Sequence, residues 1–167
     1  MVVKRDRTTG RTKYIIYAGE DIFAEEGELI ETTVGGCIGL SFYSKDHRIA
    51  CMAHFMLPAV RTSVDSDSGR NKSSLYGVNA VRRLTDGIRK RGLDPTCFTA
   101  SIFGGADFVS RDSGSGNITL ARVLVEAEDI SIIREDVGGN MIRKVVFDSS
   151  DGRMFIQQRE KMRLGAS

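Results

Sequence analysis

Apolar and polar residues along this chain alternate in short runs, the mark of strands, and twice change to the spacing of a helix. Residues 13–18 and 29–33 read as strands, with a turn at Glu25-Glu26-Gly27 between them. Cys37-Ile-Gly-Leu-Ser-Phe-Tyr alternates, and a polar stretch, Ser44-Lys-Asp-His47, follows. Residues 48–56 are apolar on both faces: Ile49, Cys51, Ala53 and Phe55 on one, Ala50, Met52 and Met56 on the other. A strand apolar on both faces is covered on both, which places His54 inside the protein or in a cleft. Leu57-Pro58 ends this strand, and residues 61–72, rich in Ser, Asp and Gly, read as a mobile polar loop.

Ser73 or Ser74 caps a predicted helix that runs to about Arg91, with Gly92 as its stop. Residues 96–103 read as a strand that ends in Gly104-Gly-Ala-Asp107, and residues 117–128 as a second helix with Ile118, Leu120, Leu124 and Val125 as its apolar residues. A strand at 130–133, a turn at Asp136-Val-Gly-Gly-Asn140 and a hairpin of 141–147 with 154–157 complete the chain. No repeat and no linker divides it. The expectation is one α+β domain over 1–167, its strands mixed but mostly antiparallel, with flexible ends at about 1–12 and 159–167.

Composition narrows the functional classes. The 167 residues suffice for a sizeable core, and the net charge of +2 gives no general case for nucleic acid or an anionic membrane surface. The basic cluster Arg82-Arg83 with Arg89-Lys-Arg91 reads as the solvated face and C-terminal end of a helix, where cations suit the dipole. No run approaches the ~20 apolar residues that cross a bilayer, and the first residues lack the apolar core of a signal peptide. Three cysteines without framework spacing point to a reducing cytoplasm.

The candidate chemistry lies in the hairpin. A turn centred on Lys45-Asp46 sets Cys37 directly opposite His54, and opposed Cβ atoms lie roughly 4.5–5.5 Å apart. A histidine beside a cysteine favours the thiolate and brings its pKa from ~8.5 to roughly 3.5–7.5. Gly35 and Gly36 precede the cysteine, and their backbone amides are candidates for an oxyanion hole. Thr32 or Thr33 is the candidate orienter of His54; His47 falls in the turn and reads as solvated. Cys51 and Cys97 read as core residues. A metal site of Cys37, Cys51 and His54 is the weaker alternative, because no metal-ligand spacing supports it. The Gly-Gly pairs at 104–105 and 138–139 match no phosphate loop and read as tight turns.

Four ordered segments carry a resemblance: Val34-Gly-Gly-Cys-Ile-Gly-Leu, Met52-Ala-His-Phe-Met-Leu-Pro58, Ile102-Phe-Gly-Gly-Ala106, and Glu135-Asp-Val-Gly-Gly-Asn140 followed by Arg143-Lys-Val-Val-Phe147. Over residues 15–158 the chain resembles the chemoreceptor glutamine deamidase CheD family. The resemblance implies a cysteine hydrolase with Cys37 as nucleophile and His54 as base, working without metal or organic cofactor. It implies a β-sandwich with flanking helices, similar to the catalytic domain of the cytotoxic necrotizing factor toxins. The implied substrates are glutamine side chains on methyl-accepting chemotaxis receptors, and the implied partner is the CheC phosphatase. The family has a third catalytic residue, a threonine five or six positions before the cysteine: Thr32 is five before Cys37, and Glu31 occupies the sixth position. Gly36 stands where the family usually has Ser, and Asp107 where it usually has Asn. The competing class is a non-catalytic regulatory binding protein of the same pathway.

Overall fold

A computed structural model describes residues 1–56, 77–107 and 111–161, with residues 111–113 as backbone. The predicted loop at 61–72, the strand end at Leu57-Pro58 and the helix cap at Ser73 or Ser74 lie outside the described residues. In chain order the elements are β1 (Val2–Arg5), β2 (Thr12–Ile16), β3 (Asp21–Ala24), β4 (Leu29–Val34), β5 (Ile38–Ser44), β6 (Ile49–Phe55), α1 (Gly77–Lys90), β7 (Thr99–Gly104), α2 (Arg111–Glu126), β8 (Ser131–Val137), β9 (Met141–Asp148) and β10 (Met154–Glu160). A short 3-10 turn, Pro95–Cys97, precedes β7.

The strands form two five-stranded sheets, ordered β1-β2-β4-β9-β10 and β3-β6-β5-β7-β8. Most neighbours are antiparallel, but β2 pairs with β4 and β7 with β8 in parallel. Each parallel pair follows from a crossover. The chain leaves β2, forms β3 in the second sheet and returns as β4; α2 connects β7 to β8. Inward residues of both sheets, including Ile16, Ile30, Val145 and Phe147 from one and Met52 and Phe103 from the other, pack as one core. The far side of the second sheet carries the helices: Ala80, Val81, Leu84 and Ile88 of α1 and Ile118, Ala121 and Val125 of α2 pack with Ile38, Leu40, Phe42, Cys51, Ala53 and Phe55. The second sheet is thus covered on both faces, which explains the two-sided apolar pattern of β6.

Several elements depart from the sequence reading. Residues 2–5, expected to be part of a flexible end, form β1 on β2, held by backbone pairing at exposed positions. The short β3 escapes the pattern because acidic residues flank its four positions. The 3-10 turn occupies the expected start of the 96–103 strand and leaves Cys97 exposed, not in the core. Helix α1 ends as expected: Gly92 N–H reaches Arg89 O and Leu93 N–H reaches Ile88 O, the paired bonds of a Schellman stop. Its basic residues are engaged on the surface, Arg89 with Glu128 at 2.6 Å and Arg91 over the Phe23 ring. Helix α2 begins six residues earlier than predicted, through Gly114, because a side chain there would meet Gly105 O at 2.2 Å. The glycine that weakens the helix as a sequence is what lets it lie against β7.

The central hairpin has a different register from the predicted one. Ser44 pairs with Ile49, so a four-residue loop with Arg48 at φ 52° closes it, and Gly39, not Cys37, stands opposite His54. Gly39 is also opposite Phe103 on the other side, and a Cβ at Gly39 would lie 1.8 Å from the Phe103 ring. Gly39→Ala is expected to displace that fully buried ring and to cost about 1–3 kcal/mol, the usual range for overpacking. Urea unfolding measures the loss; an unchanged midpoint would contradict this packing.

Candidate functional site

On β4, Ile30, Thr32 and Val34 point into the sandwich, and on β6 Ala50, Met52 and His54 do the same from the opposite sheet. Thr32 and His54 therefore meet across the gap, with Thr32 Oγ1 2.9 Å from His54 Nδ1. The same hydroxyl donates to Ile16 O at 2.9 Å. A hydroxyl has one proton to give. With that proton on Ile16 O, the oxygen accepts from His54, so Nδ1 carries the ring proton and Nε2 the lone pair. The histidine is buried at 6% exposure, and its backbone N–H and C=O are tied to Glu20 O and Gly19 N–H. Glu31 lies on the outer face, where its carboxylate meets Lys144 at 3.0 Å; Thr33, next to Thr32, is exposed.

Cys37 stands one residue ahead of β5 and is half-buried. Its carbonyl accepts from Gly105 N–H at 2.8 Å, which continues the β5–β7 ladder through it. Strand alternation then puts Cys37, Gly39 and His54 on one face, with thiol and imidazole as diagonal neighbours. Such neighbours have Cα atoms roughly 7–8 Å apart and side chains that come nearer. Cys51 points to the helices, away from His54, so the metal set of Cys37, Cys51 and His54 is divided between two faces. His47 is exposed in the turn.

The loop that presents Cys37 is braced from behind. Gly35 O accepts from Ala106 N–H at 2.9 Å, Gly36 O from Asn117 Nδ2 at 3.2 Å, and Cys37 O from Gly105 N–H. In a trans peptide C=O and N–H point opposite ways. Tying back the carbonyls of Gly35 and Gly36 therefore turns the N–H groups of Gly36 and Cys37 to the other side. Gly104, at φ 103°, fits so closely that a Cβ would lie 2.2 Å from Cys37 O. The Gly104-Gly105 pair is thus a tight turn, as expected, but one moulded to the cysteine loop. Asn117 entered the sequence reading only as a helix start; its signal was a polar residue one position before the apolar stripe of α2.

The electrostatics correct the expected thiolate. Burial pushes the Cys37 thiol up from its ordinary value, and burial pulls the His54 imidazole down from 6.5 to about 4 against the pull of Glu20. Both groups rest neutral near pH 7, a thiol and an imidazole, not an ion pair.

A sandwich with a helix layer, carrying a thiol, a buried neutral imidazole and a hydroxyl that fixes its tautomer, defines a class of protein. Comparison with known proteins gives the family. Residues 56–158 match the family model described as CheD chemotactic sensory transduction. A probable chemoreceptor glutamine deamidase CheD 2 of Shewanella oneidensis is 33% identical over 154 residues, 84% of this chain and 74% of the relative. The probable deamidase CheD of Archaeoglobus fulgidus is 28% identical over 152 residues, 87% of this chain and 93% of the relative. The chain belongs to the CheD family. Among solved structures, the hypothetical protein YfiH of Bacillus licheniformis superposes with a TM-score of 0.44 at 12% identity, over 80% of this chain and 62% of that one. No helix of the described residues is long and apolar enough to cross a membrane.

The neutral His54 has a measurable consequence. Between pH 6.5 and about 4 the unfolded chain binds a proton that the folded chain refuses, so stability falls as pH drops through that window and levels off below it. The His54 share approaches about 3 kcal/mol at 1.36 kcal/mol per unit. Urea unfolding at pH 7 and pH 4 should show a smaller acid loss for His54→Gln than for the wild type. Equal losses would mean that His54 is not buried neutral.

Proposed function

We propose that this chain is a cysteine hydrolase that deamidates glutamine side chains on the cytoplasmic helices of methyl-accepting chemotaxis receptors. The observation that carries the reading is the Thr32–His54 hydrogen bond behind Cys37, in a chain of the CheD family. The relatives it matches are named as chemoreceptor glutamine deamidases.

Each step draws on groups of this chain. The Cys37 sulfur attacks the carboxamide carbon as its proton passes to His54 Nε2. The N–H groups of Gly36 and Cys37 receive the oxyanion. His54, now cationic and held at Nδ1 by Thr32, gives its proton to the departing nitrogen, and ammonia leaves a thioester. Water then attacks the thioester and gives a proton to His54. The thiol leaves with that proton, and glutamate is released. Each turnover exchanges a neutral amide for a carboxylate on the receptor. Because the resting pair is neutral, His54 acts as a true base in the first step. The acid limb of kcat/KM then follows the His54 midpoint near 4 and not the ordinary 6.5.

The same reading keeps the chain in the cytoplasm, where receptor signalling helices lie, and gives it the CheC phosphatase as a second partner. It extends the fold kinship to the catalytic domain of the cytotoxic necrotizing factor toxins, supported by the helix layer on two mostly antiparallel sheets.

Intact-mass analysis of a receptor cytoplasmic fragment tests the activity. The wild type should add about one mass unit per modified site, while Cys37→Ala adds none and Cys51→Ala and Cys97→Ala retain activity; the loss should exceed roughly 10³-fold, as for removal of a nucleophile. Ammonia release from millimolar free glutamine should be slight, because most positioning energy comes from the protein surface. A Cys37→Ala protein that kept its effect on signalling would mark a docking regulator instead.

A further inference from the structure

Arg143 lies on the inward face of β9, opposite Val34 and two residues from Val145, the partner of Thr32. Its side chain is only 4% exposed. A guanidinium is costly to bury and is held only where its charge and donors are used. Here Nε donates to Asp136 Oδ1 at 2.8 Å, Nη2 to Gly138 O at 2.9 Å and Nη1 to Met141 O at 3.2 Å. Gln158 Nε2 grips the same carboxylate at 2.9 and 3.0 Å.

The contacts continue towards the cysteine. Gly138 N–H donates to Gly104 O at 2.9 Å, and Gly105 N–H donates to Cys37 O at 2.8 Å. Asp107 N–H reaches Gly139 O at 2.9 Å alongside. Three tight turns, at 138–139, 104–105 and 35–37, are thus laid against one another, and the guanidinium anchors the outermost. After the first link every donor and acceptor belongs to the backbone, so displacement at one turn passes to the next. All of these anchoring residues fall within the span that matches the family model.

We propose that Arg143 is a positioning residue for the nucleophile loop. Resting on the deamidase reading above, it holds the Cys37 carbonyl in place, and with it the loop that carries the oxyanion N–H groups, through the Gly138 and Gly104-Gly105 turns. It touches no reacting atom.

Arg143→Lys keeps a cation beside Asp136 but loses the fork that reaches Gly138 and Met141. Asp136→Asn keeps side-chain shape and removes the charge that orients the guanidinium; it carries the same tests if Arg143→Lys fails to fold. Kinetics on a receptor cytoplasmic fragment and amide hydrogen exchange by NMR are read on folded protein. The kcat should fall roughly 10²-fold, the cost of a misplaced reacting group, with KM within about twofold. The midpoint of the acid limb should stay in place, because the Thr32–His54 pair is untouched. The amides of Gly105, Ala106 and Gly138 should exchange at least about tenfold faster, while those of Leu40 and Phe42 do not change. A folded variant with wild-type kcat and wild-type exchange at these amides overturns the proposal. If the wild type itself releases no ammonia from the fragment, the deamidase reading fails and exchange alone decides: acceleration at the three amides upholds the relay, and wild-type exchange sinks it.

Discussion

A hydrogen bond between the two sheets fixes the buried histidine of this molecule. Thr32 Oγ1 and His54 Nδ1 sit 2.9 Å apart between layers that share an apolar core. A histidine buried there must find a partner or cost the fold the desolvation of a polar group. The threonine meets that need, and because its own proton goes to Ile16 O, it dictates which ring nitrogen is protonated. Sheet packing, ring orientation and proton inventory are thereby one constraint. Without the two-sided burial of β6 the imidazole would be solvated, cationic below its ordinary 6.5, and free to rotate.

The cysteine is placed by different means. Its loop is held by its carbonyls, those of Gly35 and Cys37 tied to the backbone N–H groups of Ala106 and Gly105 and that of Gly36 to the Asn117 side-chain amide. Glycine is needed where those backbones approach, since a Cβ at Gly104 would collide with the Cys37 carbonyl. Histidine and cysteine thus have separate supports, an interlayer hydrogen bond for the imidazole and a stack of turns for the thiol. Burial raises the thiol and lowers the imidazole, so the pair holds its proton on sulfur. Such a site resembles a hydroxyl nucleophile with its base more than a preformed thiolate.

Much of this was legible in the sequence, for identifiable reasons. The alternation in residues 48–56 carried apolar residues on both parities, and only a strand sandwiched between layers needs that. The register was not legible, because loop length is invisible to a period of two. A four-residue loop with Arg48 in the left-handed region moves the pairing by two positions and leaves the facing of every side chain unchanged. Spacing alone could not separate Thr32 from Thr33 or Glu31. The parity of β4 does, since Thr32 lies between Ile30 and Val34, both fully buried. Arg143 had the same kind of signal, a charge on the parity of Val145 and Phe147, and a charge on an inward face asks for a partner.

The central claim is that His54 rests neutral with its proton on Nδ1. Nitrogen NMR of protein labelled in the histidine ring reads this directly. The account predicts a neutral Nδ1–H tautomer at pH 7 that becomes cationic only on approach to pH 4, and loss of that tautomer preference in Thr32→Val. An imidazolium at pH 7, or an Nε2–H tautomer in the wild type, would contradict it.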